Sequence, residues 1–162
     1  MSLLPYEFYR QVEQTMPIAC IDFVPVRQVG DGRQVGLISR ESPYGRVWCH
    51  LGGRIRRGET IVQGLQRHAR ETVGVETDVA PNAQPVYVYE WFPSAVAPND
   101  GTQFGNDERK HSIGLSYVVR LLGDPSPQGE ALAFEWFETD RLPENSWPGS
   151  AELVRRLLGQ VS

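Results

Sequence analysis

The chain is short of cysteine, of long apolar runs and of positive charge, and each shortage removes a class of function. Cys20 and Cys49 are its only cysteines in 162 residues, and neither stands in a C-x-x-C or Cys/His spacing. Zinc ligation and dithiol redox chemistry therefore lack sequence support, and both thiols are expected to pack as small core hydrophobes. No apolar run approaches the roughly 20 residues that cross a bilayer as a helix. The first residues, MSLLPYEFYRQVEQ, do not follow a basic region with an apolar one, as a secretion signal would. A soluble, cytoplasmic chain without a membrane partner is the expectation. The formal net charge of −4 argues against a nucleic-acid polymer as partner, because such binding neutralises many phosphates at once. Local basic clusters can still hold a small anion.

The residues that are present describe a globular domain. A length of 162 residues with 40% hydrophobic and 22% charged residues suits one well-buried core, so residues 1–162 are read as a single domain. Phe8, Val12 and Met16 recur four apart, which predicts a short amphipathic helix over about 5–16. ACIDFVPV and QVGLISR, joined by a GDG turn, read as a strand hairpin, and RVWCHL as a further strand running into Gly52-Gly53. QPVYVYEWF, SIGLSYVVRLL and EALAFEWF are strand candidates rich in β-branched and aromatic residues. Between the first two of these lies APNDGTQFGNDERK, a connector long enough to suggest a functional loop. AELVRRLLGQ predicts a closing amphipathic helix. Helices at the start, middle and end of a strand-rich chain predict an α/β fold, a mixed β-sheet sandwiched between helices, with the first and last helices as covers.

The most informative stretch is GGRIRRGETIVQGLQRHARETVGV, residues 52–75. Thr60 and Gln63 form a T-x-x-Q capping box and Gly74 a terminator, so a helix is predicted over about Ile61 to Val73. Val62, Leu65, Ala69 and Val73 should face the core, while Gly64, Arg67, His68 and Glu71 fall on another face, toward the glycines. Glycines let backbone approach an anion. Arg54, Arg56 and Arg57 supply positive charge beside them, and carboxylates along the helix can hold magnesium through oxygen ligands.

This stretch resembles the signature box of the Nudix hydrolases: Gly, five residues, Glu, seven residues, Arg-Glu, an aliphatic, any residue, Glu-Glu, any residue, Gly, an aliphatic. Gly53, Glu59, Arg67, Glu71, Gly74 and Val75 stand in register. His68 and Thr72 replace glutamates, and Ala69 is a small occupant of the aliphatic position. The resemblance implies a Nudix-like α/β/α sandwich and magnesium, with manganese as the alternative, as cofactor. It further implies that Glu59 pairs with Arg67, and that Glu71, Glu130 and the Gly52 carbonyl form a minimal metal site.

A looser resemblance extends to the GDP-mannose mannosyl hydrolase branch, through PIACIDFVPV, LISR and VWCHLGGR. It implies Asp22, Arg40, Gly53 and Arg54 as substrate contacts, with Arg54 and Arg67 stabilising the leaving group. The branch's catalytic histidine is absent, since Ala131 stands in the corresponding stretch. His68 can replace the missing carboxylate, act as a base near neutral pH, or be a polar helix residue without either duty. His111 is either a cleft-lining base or substrate contact, or a solvated strand-end residue, and His50 has no assignment. Tyr89, Trp91, Phe92 and Phe104 either pack in the core or stack on a base or sugar. The expected function is hydrolysis of a small nucleoside diphosphate derivative, a nucleotide sugar foremost. The alternatives are a nucleotide-binding or regulatory module that has lost turnover, and a structural homodimer partner with a vestigial cleft. The apolar Leu3-Leu4 and Tyr6 to Tyr9 segment offers surface for pairing.

Overall fold

The computed structural model describes residues 4–159; Leu3 of the proposed pairing surface and Gln160 of the closing helix lie outside them. Among the described residues three α-helices, α1 (Tyr6–Thr15), α2 (Ile61–Val73) and α3 (Ser150–Leu157), and a short 3-10 helix at Ser94–Val96 accompany eight strands. The strands are β1 (Ile18–Val29), β2 (Gly32–Ser42), β3 (Gly45–Cys49), β4 (Leu51–Arg54), β5 (Tyr87–Phe92), β6 (Gly105–Asn106), β7 (Ser112–Val119) and β8 (Ala133–Glu138). Among the described residues no helix is long and apolar enough to cross a membrane.

The sheet curls around β1. Strand order is β3-β2-β1-β7-β5-β6, with β4 pairing on β1 and β8 on β2. The first part of β1 is flanked by β7, parallel, and by β4, antiparallel through Cys20↔Arg54 to Phe23↔Leu51. From Val26 onward β1 pairs with β2 instead. Pro25, which has no N–H to give, stands between the end of one ladder and the start of the other, where a proline costs least. Cys20 to Pro25 are all buried, as a strand covered on both faces requires. The mixed sheet with helices against it is the expected α/β/α architecture.

RVWCHL is two strands and not one. β3 ends at Cys49, paired with Ile38 of β2, and β4 starts at Leu51 against β1; His50 is the residue at which the chain changes partner. The final strand begins at Ala133, three residues later than EALAFEWF suggests, because Gly129 (φ 60°) and an Ala131 N–H to Gln128 O bond of 3.0 Å hold Glu130 in a turn.

The middle helix has the expected bounds. Thr60 Oγ1 accepts from Gln63 N at 3.2 Å while Gln63 Oε1 accepts from Thr60 N at 2.8 Å, and Gly74 ends the helix at φ 72°. Val62, Leu65, Ala69 and Val73 are buried. Gly64 is buried too, pressed so near β1 that an added Cβ would meet Ile21 Cδ1 at 2.8 Å. α3 covers the sheet with Leu153, Val154 and Leu157. α1 does not share that job: none of its residues is buried, because its apolar side chains Tyr6 and Phe8 point outward, 73% and 59% exposed.

Candidate active site

The helix α2, the strand β4 and the turn before β8 meet around a cavity of about 370 Å³. Gly52 and Gly53 form one wall, and their lack of side chains is a physical necessity. At Gly52 (φ 145°) a Cβ would collide with the Ile21 carbonyl, and at Gly53 (φ 157°) it would lie 2.5 Å from His68 Cε1. Glycine permits this backbone and this approach.

Arg67 fastens the helix to the loop. Its Nε donates to Glu59 Oε1 at 2.5 Å and its Nη2 to Glu59 Oε2 at 2.9 Å and to Arg54 O at 3.1 Å. The two-pronged bond to Arg67 holds the Glu59 carboxyl down at about 2, against the opposing effect of burial. His68 adds a second fastening, with Nε2 3.0 Å from the same Arg54 carbonyl. Since a carbonyl only accepts, Nε2 carries the hydrogen. Burial lowers the His68 pKa, so the neutral ring is favoured.

Of the residues named from the sequence, Asp22, Arg40, Gly52, Gly53, Arg54 and Arg67 line the cavity, as do His68, Glu71 and Glu130. His111 does not. Its ring stacks on Phe92, with centroids 4.2 Å apart, and its Nε2 lies 3.5 Å from Glu90. It is Lys110 and Ser112 on either side that line the cavity, because successive residues of an extended chain face opposite ways. Asp22 is buried with both oxygens engaged: Trp91 Nε1 donates to Oδ2 at 2.9 Å, and His50 Nε2 lies 3.2 Å from Oδ1. His50 Nδ1 is 3.0 Å from Ser150 Oγ, and its ring stacks on Trp91 at 5.0 Å. One histidine at a strand break thus ties β1, β5 and α3 together beneath the cavity.

Sequence reasoning missed this role for His50, and it missed Asp107, Arg109, Lys110 and Trp147, which also line the cavity. They lie at loop positions that only the folded chain brings near the box. Cys20 and Cys49 line it as well, but burial pushes their thiols up to about 11 and about 12. Protonated thiols are neither nucleophiles nor ready metal ligands.

The cavity is basic within an acidic chain: Arg40, Arg54, Arg56, Arg67, Arg109 and Lys110 face four carboxylates, a surplus of two cations where the whole chain carries −4. The two carboxylates expected to hold a metal are engaged by arginine. Glu130 Oε2 is 2.6 Å from Arg40 Nη1, and Glu71 lies 3.3 Å from Arg67 and 3.6 Å from Arg56. No group of three His, Cys, Asp or Glu suited to a metal ion occurs among the described residues. A closed protein cage for magnesium is therefore not what these residues fit. They fit the other habit of magnesium, in which one or two carboxylates complete a shell supplied largely by substrate phosphates and water.

Comparison with known proteins agrees with this architecture. A protein from Jonesia denitrificans, described as a possible asymmetric diadenosine tetraphosphate hydrolase, superposes with a TM-score of 0.76 at 29% identity, over 90% of this chain and 94% of that one. A MutT NUDIX hydrolase from Burkholderia pseudomallei gives 0.68 at 20% identity, over 88% and 98%. A C. elegans Ap4A hydrolase gives 0.64 at 13% identity, over 88% and 96%. No curated protein sequence matches. The chain has the Nudix fold, and, with residues 3–161 matching its model, it belongs to the family described as a domain of unknown function, DUF4916.

Proposed function

We propose that this chain is a magnesium-dependent hydrolase of a small nucleoside diphosphate derivative. The observation that carries the reading is the convergence of Glu71, Glu130 and Gly52 on one basic cavity beside the Arg67-fastened glycine loop. Bound with the substrate, magnesium would neutralise charge on the diphosphate oxygens. The chain's own residues then divide the remaining work. Arg54 and Arg56 present positive charge to the phosphates, and Arg67 and His68 hold the Arg54 carbonyl and with it the loop. Glu71 and Glu130 would hold the dication, which would leave Arg40 and Arg56 to the ligand. Water is the nucleophile. Hydrolysis in oxygen-18 water locates its attack, with label in the sugar product marking carbon and label in the phosphate marking phosphorus.

The sequence resemblance to the GDP-mannose mannosyl hydrolase branch favours a nucleotide sugar. The likeness to the Jonesia protein makes a dinucleoside polyphosphate the next substrate to try. A second reading, a binding module without turnover, is favoured by one observation: both acidic side chains are clasped by guanidinium groups. A panel of nucleotide sugars, dinucleoside polyphosphates and nucleoside triphosphates separates the two when scored for heat stabilisation and for product. A ligand that stabilises and is cleaved supports the hydrolase. One that stabilises but stays intact at high magnesium supports the module.

A further inference from the structure

Two of the cavity's cations come from the chain beyond the middle helix. Arg109 and Lys110 stand on the turn that leads into β7. Arg109 is held by Asp107, with Nε 2.9 Å from Oδ1 and Nη2 2.9 Å from Oδ2, while the Arg109 N–H donates to Oδ1 at 3.0 Å. Asp107 is buried, so the anchor is firm. The guanidinium also lies over the Trp147 ring, 4.9 Å from its centroid, and Trp147 is itself fixed by Nε1 donating to Asn106 O at 2.6 Å. These contacts use one edge and one face of the guanidinium. Its Nη1 makes no hydrogen bond among the described residues, and the side chain is 42% exposed. Lys110 has no ion pair among the described residues either. An arginine fixed on one edge and open on the other is arranged to take an anion at little entropic cost.

Topology separates this bank from the first. β1 pairs with β4 at Cys20↔Arg54 and with β7 at Ile18↔Ser112, so the strands from which the two banks extend flank β1, their backbones about 10 Å apart. The two banks therefore enter the one cavity from opposite sides of β1.

We propose that Arg109 and Lys110 form a second anion subsite, so that the ligand carries a further negative group across β1 from the glycine loop. That group is either phosphate beyond the first two or an acid on the moiety joined to the diphosphate. The inference rests on the glycine loop being the first phosphate site.

The test is calorimetric titration of the whole chain, without added metal, with pyrophosphate, linear tetrapolyphosphate, UDP-glucose and UDP-glucuronate. The expected result is tighter binding of tetrapolyphosphate than of pyrophosphate, or of UDP-glucuronate than of UDP-glucose, by about tenfold, the worth of one charge-assisted contact. Which pair shows the gain identifies the source of the second anion. Arg109→Gln and Lys110→Gln should each shrink the gain while leaving pyrophosphate affinity within about twofold of its starting value. Lys110→Gln leaves the Asp107 anchor intact, so a folding defect in Arg109→Gln cannot mask the outcome. Arg120→Gln, remote and paired with Asp78, controls for loss of bulk charge. No gain in either pair, or a gain that survives both cavity variants, overturns the second subsite. Failure of pyrophosphate itself to bind, with or without millimolar magnesium, overturns the first phosphate site and the inference with it.

Discussion

Glu59 and Arg67 form the shortest ion pair at the glycine loop, and both are largely removed from solvent. Glu59→Gln should lower stability at pH 7 by about 2 kcal/mol, because Arg67 keeps its burial and loses its charged acceptor. The Glu59 carboxyl titrates near 2 in the fold against an ordinary value near 4.3. Its stabilising contribution is therefore complete above that ordinary value and is lost as pH falls toward 2. Chemical denaturation across that window should show a steep acid limb in the wild type and a shallower one in Glu59→Gln. His68 works at higher pH. With its folded pKa depressed, the unfolded chain binds the extra proton, so stability is full above about 6.5 and declines as pH falls through the folded value. His68→Gln should lose that part of the pH dependence, which thermal melts between pH 7.5 and 5 measure. Glu71 differs from both. Its side chain is 51% exposed and its arginine contacts are long, so Glu71→Gln should shift the melting temperature by no more than about 2 °C. The same variant should abolish magnesium-dependent turnover, and unaltered turnover would remove Glu71 from the mechanism.

At the scale of elements, α2 was the most readable part of the chain. Its cap, its core stripe and its glycine stop are all local signals, and the helix has the bounds they define. Thr60→Ala should therefore cost about 1 kcal/mol in denaturant titrations, the worth of an N-cap. Gly52→Ala should cost far more, about 3 kcal/mol or beyond, since strain at φ 145° adds to a collision with the Ile21 carbonyl. The breaks in strands were harder to read. RVWCHL is continuous in β propensity, and only the demand of β1 and β2 for separate partners divides it at His50. Glu130 reads as the start of a strand, but the turn at Gly129 holds it outside β8. α1 carries a correct helical period and yet buries none of its own side chains, its Tyr9 ring lying against Arg54 at the edge of the sheet, because periodicity reveals an apolar face without naming what that face meets.

The whole molecule sets a basic cavity in an acidic chain. The box residues of that cavity were visible at fixed spacing, and Asp22 and Arg40 followed from the resemblance. The loop that holds Arg109 and Lys110 was visible as a long connector, but their entry into the cavity, like that of Trp147, was not, because contacts between residues far apart in the chain leave no local pattern. Nor was it visible that both retained carboxylates would meet guanidinium groups, which makes turnover the question to settle. The most direct measurement is phosphorus NMR of nucleotide sugars and dinucleoside polyphosphates incubated with the chain at millimolar magnesium, repeated with chelator and with Glu71→Gln. The expected result is cleavage of at least one ligand that stops with chelator and in the variant. Ligands that raise the melting temperature yet stay intact at every magnesium concentration would contradict it.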